Sequence, residues 1–192
     1  MLLIGESLLV VSNISSLLKT DEKHWWLDRM YLQDAIRTAK RSIDPNTQVG
    51  AVLVVPTGIG VVLRAWNCVP CKLIQAGYPI KTEDKNYCTE HAERKVIFDA
   101  VQNGLKTDGM TMYCTWASCA ECSRCIINFG ISRVVTFSSL IEKTHEKWYE
   151  SVLHGIKMMR DCGVSVIGWR GDLGIECNLR FGGKQITEKD LL

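Results

Sequence analysis

Two short runs, His91-Ala92-Glu93 and Cys119-Ala120-Glu121-Cys122, each stand where a loop gives way to a helical pattern. Residues of this kind act together only if the fold brings both helix starts to one place, and that demand constrains the architecture most. One helix fits His91 to about Asn103, closed by Gly104, and another fits about Cys119 to Phe129, closed by Gly130. Met110–Thr115 and Ile131–Phe137 read as strands around the second of them. Upstream, Leu27, Met30, Tyr31, Ala35 and Ala39 recur at helical spacing from Trp25 onward, and Asp44-Pro45-Asn46 ends that helix in a turn. Val49–Val55 and Ile59–Ala65 read as strands joined at Pro56-Thr57-Gly58. Downstream, Lys143–Asp161 reads as one long amphipathic helix closed by Gly163, and Val164–Gly168 as a last strand. The order α-β-β-α-β-α-β-α-β predicts an α/β sheet covered by helices. Residues 66–90 read as a long loop, a feature that tends to be functional in a compact domain. Residues 1–24 show no period and read as an N-terminal extension or partner-facing segment. The chain after Trp169 reads as a polar, glycine-containing tail.

The chain has 192 residues, 46% hydrophobic and 23% charged, enough for one domain with a sizeable core and unlike a disordered polymer. The formal charge of +2 lacks the basic surplus of a protein that coats nucleic acid, yet it leaves room for a local basic pocket around one phosphate. Nine cysteines, odd in number and unevenly spaced, do not suit a small disulfide-stapled secreted module. Two C-x-x-C pairs fit metal binding or redox chemistry better, with thiols kept reduced in the cytoplasm. The apolar N-terminus has no basic stretch and contains Glu6, so it reads as neither a secretory signal nor a membrane span.

Helix N-termini present free N–H groups and the positive end of the dipole, which favour thiolate over thiol. Cys119 and Cys122, three residues apart, lie on one face of a helical turn and can reach one metal. With His91 they make a three-ligand zinc set that leaves a fourth position open, as catalytic sites do and structural sites do not. Two thiolates cancel the charge of the ion, which still lowers the pKa of a water to about 7 in favourable sites. Glu93, two residues beyond His91, is free to move the protons of hydrolysis and works best with a pKa near the operating pH.

The arrangement His91, Glu93, Cys119, Cys122 resembles the H-x-E…P-C-x-x-C signature of zinc-dependent nucleobase deaminases. The resemblance extends along the chain. Residues 41–52 look like the segment opening the first strand in deoxycytidylate deaminases, and Ala65-Trp66-Asn67 matches the strand end that sets an Asn against the substrate sugar. Thr111-Met112-Tyr113 precedes the Cys pair as in that family, and residues 122–131 continue the match. The likeness covers roughly residues 26–168, and ordered agreement of this kind is more specific than one motif. It implies a cytidine-deaminase-like three-layer α/β/α sandwich with a central mixed five-stranded sheet over residues 25–170, between the extension and the tail at 171–192. It implies Zn²⁺ as cofactor, hydrolytic deamination of a small-molecule deoxycytidine nucleotide, and a product that feeds thymidylate synthesis. A homo-oligomer, hexameric by resemblance, and substrate contacts from Asn67, Ala92, Asn46, Thr47, Trp116 and Ser118 belong to the same expectation.

The chain also departs from that family. Ser118 stands where the family has Pro, which changes the entry to the helix and removes no ligand. The loop after Asn67 is abbreviated relative to allosteric members, which puts regulation by triphosphates in doubt and makes dCTP an option beside dCMP. Several residues keep a plainer alternative. Asn67 also suits a turn that closes a strand, Asn46 and Thr47 a solvated surface, and Trp116 the core. Cys68 and Cys71 read as reduced loop thiols, or with Cys88 and Cys125 as a second zinc site. Cys114, Cys162 and Cys177 read as buried apolar residues. A tRNA or polynucleotide deaminase shares the zinc geometry, and a zinc-stabilised binding module without turnover is the remaining alternative.

Overall fold

The computed structural model describes residues 17–57, 60–78 and 84–192, with the side chains of Val61 and Val62 excepted. Most of the expected N-terminal extension, Gly58 of the first hairpin turn and Pro79 of the long loop lie outside the described residues. Helix α1 (Trp25–Ala39) leads into an antiparallel pair, β1 (Gly50–Val54) and β2 (Val61–Trp66). Two short helices, α2 (Cys71–Gln75) and α3 (Lys85–Cys88), interrupt the stretch read as loop. Then come α4 (Ala92–Gln102), β3 (Thr111–Cys114), α5 (Ala120–Asn128) and β4 (Arg133–Phe137). Helices α6 (Ser138–Glu142) and α7 (Glu146–Asp161) precede β5 (Ser165–Trp169).

The sheet order is β2-β1-β3-β4-β5, with β1 antiparallel to both neighbours and β3, β4 and β5 parallel. This is the expected mixed five-stranded sheet. Period-2 alternation divides its side chains between two cores. Ala51, Leu53, Met112, Cys114, Val134 and Val166 face α4, α5 and α7. Val52, Val54, Tyr113, Val135, Phe137 and Ile167 face α1. Gly50 is required where α1 crosses β1, because a Cβ there would lie 2.3 Å from the Ala35 carbonyl oxygen.

Three readings change. The helix expected over 143–161 starts three residues later, at Glu146, because His145 adopts an extended conformation and its ring accepts the Lys147 N–H, and the separate short helix α6 lies before the expected span. The chain after Trp169 is not a loose tail. It forms a hairpin, β6 (Leu179–Phe181) and β7 (Lys184–Ile186), which buries Leu173, Cys177, Leu179, Ile186 and Leu191 on the α1 side of the sheet. Lys19 bridges to Ile167 in parallel fashion, so the described end of the N-terminal segment covers the edge of β5. Among the described residues no helix is long and apolar enough to cross a membrane.

Candidate metal centre and nucleotide pocket

The centre is built from two helix starts. β3 delivers the chain to α5 through Thr115, whose N–H donates to the Gly50 carbonyl and whose hydroxyl accepts the Gly50 N–H. His91 and Cys119 are the residues that precede α4 and α5, both in extended conformation, and Cys122 follows one turn into α5. The helices are tied at this end by Arg94, which donates to Glu90 and to Glu121. From α7, the Ser151 hydroxyl accepts the Ala120 N–H.

His91 Nδ1 lies 3.6 Å from Cys119 Sγ and 3.4 Å from Cys122 Sγ. A nitrogen and a sulfur sharing a tetrahedral zinc are separated by about 3.5 Å, given Zn–N of about 2.0 Å and Zn–S of about 2.3 Å. The three donors therefore fit zinc in chemistry and spacing, and all their ligating atoms lie within 4.8 Å of one another. The hydrogen bond from Cys122 draws the Cys119 thiol down to about 3, helped by His91. Cys122, the donor of that bond and fully buried, is pushed well above its ordinary value. Such a site is prepared for a cation.

Glu93 is 4% exposed and sits in the first turn of α4. Burial pushes its carboxyl above the usual range, while the His91 ring and the Ser118 hydroxyl offset part of that push. Ser118 Oγ is buried, and among the described residues its geometry falls short of a hydrogen bond to any partner. Ala92 is fully buried, so the free backbone N–H at the helix start is what it can offer a ligand. Trp116 is half-buried, donates from its indole to the Thr144 hydroxyl, and meets the edge of Phe181 at 5.1 Å between ring centres.

Asn67, Asn46 and Thr47 form a second group beside the start of β1. The Asn67 amide accepts the Val49 N–H and donates to the Thr47 carbonyl, so it closes the strand pair, and among the described residues one N–H and one lone pair of the amide meet no further partner. The Asp44 carboxylate accepts the N–H groups of Asn46 and Thr47, and it is paired in turn with buried Lys85 at 2.6 Å. Sequence reasoning missed Lys85, Arg94, Ser151 and Trp148, whose ring meets His91 edge-on at 6.2 Å. Each acts through a partner far along the chain, and a local pattern carries no signal of that.

Other expectations divide. Among the described residues the one set of three or more groups able to hold a metal is His91, Cys119 and Cys122, so Cys68, Cys71, Cys88 and Cys125 form no second centre there. Cys114 and Cys177 are buried as expected, whereas Cys162 is exposed because it follows the last turn of α7.

Comparison with known proteins agrees with this geometry. The family model described as the cytidine and deoxycytidylate deaminase zinc-binding region matches residues 26–138. A probable deoxycytidylate deaminase of Drosophila melanogaster is 32% identical over 142 residues, covering 65% of this chain and 68% of the fly protein. The deoxycytidylate deaminase of Mus musculus is 28% identical over 149 residues, covering 71% and 77%. In three dimensions the chain is similar to the dCMP deaminase of cyanophage S-TIM5 in complex with dCMP and dUMP. The TM-score is 0.59 at 22% identity, over 73% of this chain and 94% of that one.

Proposed function

The chain belongs to the cytidine and deoxycytidylate deaminase zinc-binding family, and from that premise we propose that it hydrolyses deoxycytidine nucleotides, converting dCMP to dUMP. The observation that carries the reading is a buried carboxylate, Glu93, two residues from the histidine of a zinc-competent His–Cys–Cys set. His91, Cys119 and Cys122 would hold the metal, and zinc in that position supplies the acidity that makes water a nucleophile near neutral pH.

The protein's own part is proton movement and orientation. Glu93 takes a proton from the attacking water and delivers it to N3 of the cytosine as the water oxygen bonds to C4. It then passes the remaining proton to the amine, which leaves as ammonia and yields uracil. A carboxyl held high by burial suits a group that must accept and release a proton in one turnover. The Ala92 N–H and Trp116 would bound the base, and Asn67 would meet the sugar with its remaining N–H. Asn46 and Thr47 would face the phosphate. We also infer a cytoplasmic homo-oligomer, hexameric by analogy with the family.

The test is a deamination panel on the zinc-loaded protein with dCMP, dCTP, CMP, deoxycytidine and a tRNA, and with Glu93→Ala as control. Turnover of dCMP that is lost in the control supports the reading, and the dCTP lane reports on the abbreviated loop after Asn67. Silence on every free nucleotide overturns it, and the tRNA lane then separates a polynucleotide deaminase from a zinc module without turnover.

A further inference from the structure

The hairpin β6–β7 lies outside the region the family model matches, yet it is bound to the turn at residues 42–48. The Gln48 N–H donates to the Arg180 carbonyl, and the Arg180 N–H donates to Gln48 Oε1. The Gly182 N–H donates to the Thr47 hydroxyl and the Gly183 N–H to the Asn46 carbonyl. Phe181, between them, meets the ring of Trp116. From beneath, Lys85 and Asn67 hold the same turn.

The charges in this corner do not balance. Asp44 is neutralised by Lys85. Arg180 is half-buried, and its guanidinium donates from Nε to the Asp44 carbonyl at 3.0 Å and from Nη2 to the Ser42 carbonyl at 3.4 Å. Among the described residues no carboxylate pairs with it, and its Nη1 donates to none of them. Two carbonyls fix the plane of the group without cancelling its charge. A fixed guanidinium with spare N–H groups suits a phosphate. Two further donors stand on the turn it grips. The Thr47 hydroxyl accepts from Gly182, which leaves its own proton to donate, and the Asn46 side-chain amide has no partner among the described residues.

We propose that the C-terminal hairpin completes the nucleotide pocket, with Arg180 as the cation that recognises the 5′-phosphate beside Asn46 and Thr47. The inference rests on the nucleotide reading above and adds to it a specificity residue from outside the shared family region. It makes the hairpin the element that separates nucleotide from nucleoside.

The test compares wild type, Arg180→Gln and Arg180→Lys in the zinc-loaded full chain. Kinetics are measured on dCMP and deoxycytidine, and calorimetric binding on dUMP and deoxyuridine. Loss of one charge-assisted phosphate contact predicts a KM for dCMP raised by about tenfold to a hundredfold in Arg180→Gln, with kcat nearly unchanged. Deoxycytidine turnover stays within about twofold, dUMP affinity falls with the KM, and Arg180→Lys recovers part of the loss. Equal losses on dCMP and deoxycytidine would mean that Arg180 only braces the turn, and unchanged dUMP binding would mean that it faces no phosphate. Either result overturns the inference. If the wild type turns over no cytosine nucleotide, the functional reading fails by itself, and the contrast between dUMP and deoxyuridine still decides the role of Arg180. Absence of dUMP binding in the wild type overturns it as well.

Discussion

Replacing Gly155 with alanine should damage catalysis from the far side of the metal centre. Gly155 is buried in α7 where that helix crosses the chain entering α5. A Cβ there would lie 2.5 Å from the Ser123 hydroxyl oxygen, 2.8 Å from the Ser118 carbonyl oxygen and 3.2 Å from the Cys119 carbonyl carbon. The serine hydroxyl can rotate, but the backbone of Ser118 and Cys119 cannot, and it must retreat by about 0.5 Å or more to reach ordinary contact distance. Cys119 is one of the three residues placed to bind a metal, so the displacement reaches that centre directly. Overpacking of this kind costs about 1–3 kcal/mol, or roughly 2–12 °C in Tm for a chain of this length. A misplacement of about 1 Å at reacting groups costs up to about 100-fold, so half of that predicts a fall in kcat/KM of about threefold to tenfold.

The assay pairs dCMP turnover with thermal unfolding and zinc analysis of Gly155→Ala. Gly163→Ala is the control. Gly163 is at φ +84° with nothing within 4 Å of its virtual Cβ. That variant should lose about 1–2 kcal/mol of stability to backbone strain with no change in kcat/KM. A Gly155→Ala protein with wild-type Tm and wild-type kcat/KM would refute the packing argument.

Glu93→Gln should lower kcat by about 10²- to 10⁴-fold while the zinc content stays at the wild-type level, as metal analysis would show. Loss of metal together with activity would instead make Glu93 structural. Arg133→Met strands Asp28, which is fully buried and otherwise partnered by the Tyr113 hydroxyl. Removing one member of a buried pair costs about 3–5 kcal/mol, so Tm should fall by at least about 6 °C and recover in part with Asp28→Asn. No fall in Tm would show that the pair is dispensable. Alkylation near neutral pH should label the exposed Cys71 and Cys162 first. Cys177, whose thiol burial pushes up to about 11, should stay unlabelled until the fold opens. Mass spectrometry that found Cys177 reacting as fast as Cys162 would contradict the docked hairpin.

Much of the site was legible because its chemistry is local. Cys119 and Cys122 share a turn of helix at a spacing of three, and His91 and Glu93 share another at a spacing of two. Gly104 and Gly130, both at positive φ, mark where these helices end, and the helical pattern upstream of each leads back to its start. The strands β1, β3, β4 and β5 were legible likewise as short, mostly apolar runs, which are buried almost throughout in the sheet. The surroundings of the turn at residues 42–48 were not legible in this way. Asn46 and Thr47 stood out as polar turn residues, yet nothing near them pointed to Lys85, about forty residues on, or to Arg180, far beyond that.

The start of α7 at Glu146 rather than Lys143 was equally hidden, because apolar spacing sets the buried face of a helix and not its first residue. The ring of His145, capping the Lys147 N–H, fixes that start. The hairpin after Trp169 shows the limit most clearly. Its strands are three residues each, too short for a period to register, and a two-stranded hairpin is marginal alone in water. It holds its shape because Leu179 and Ile186 find an apolar face already made by α1 and the sheet, and because Gln48 and Thr47 satisfy its backbone. Local spacing could therefore name His91, Glu93, Cys119 and Cys122, which the fold brings to one place, whereas the neighbours of Asn46 and Thr47 came from distant segments that only burial brought together.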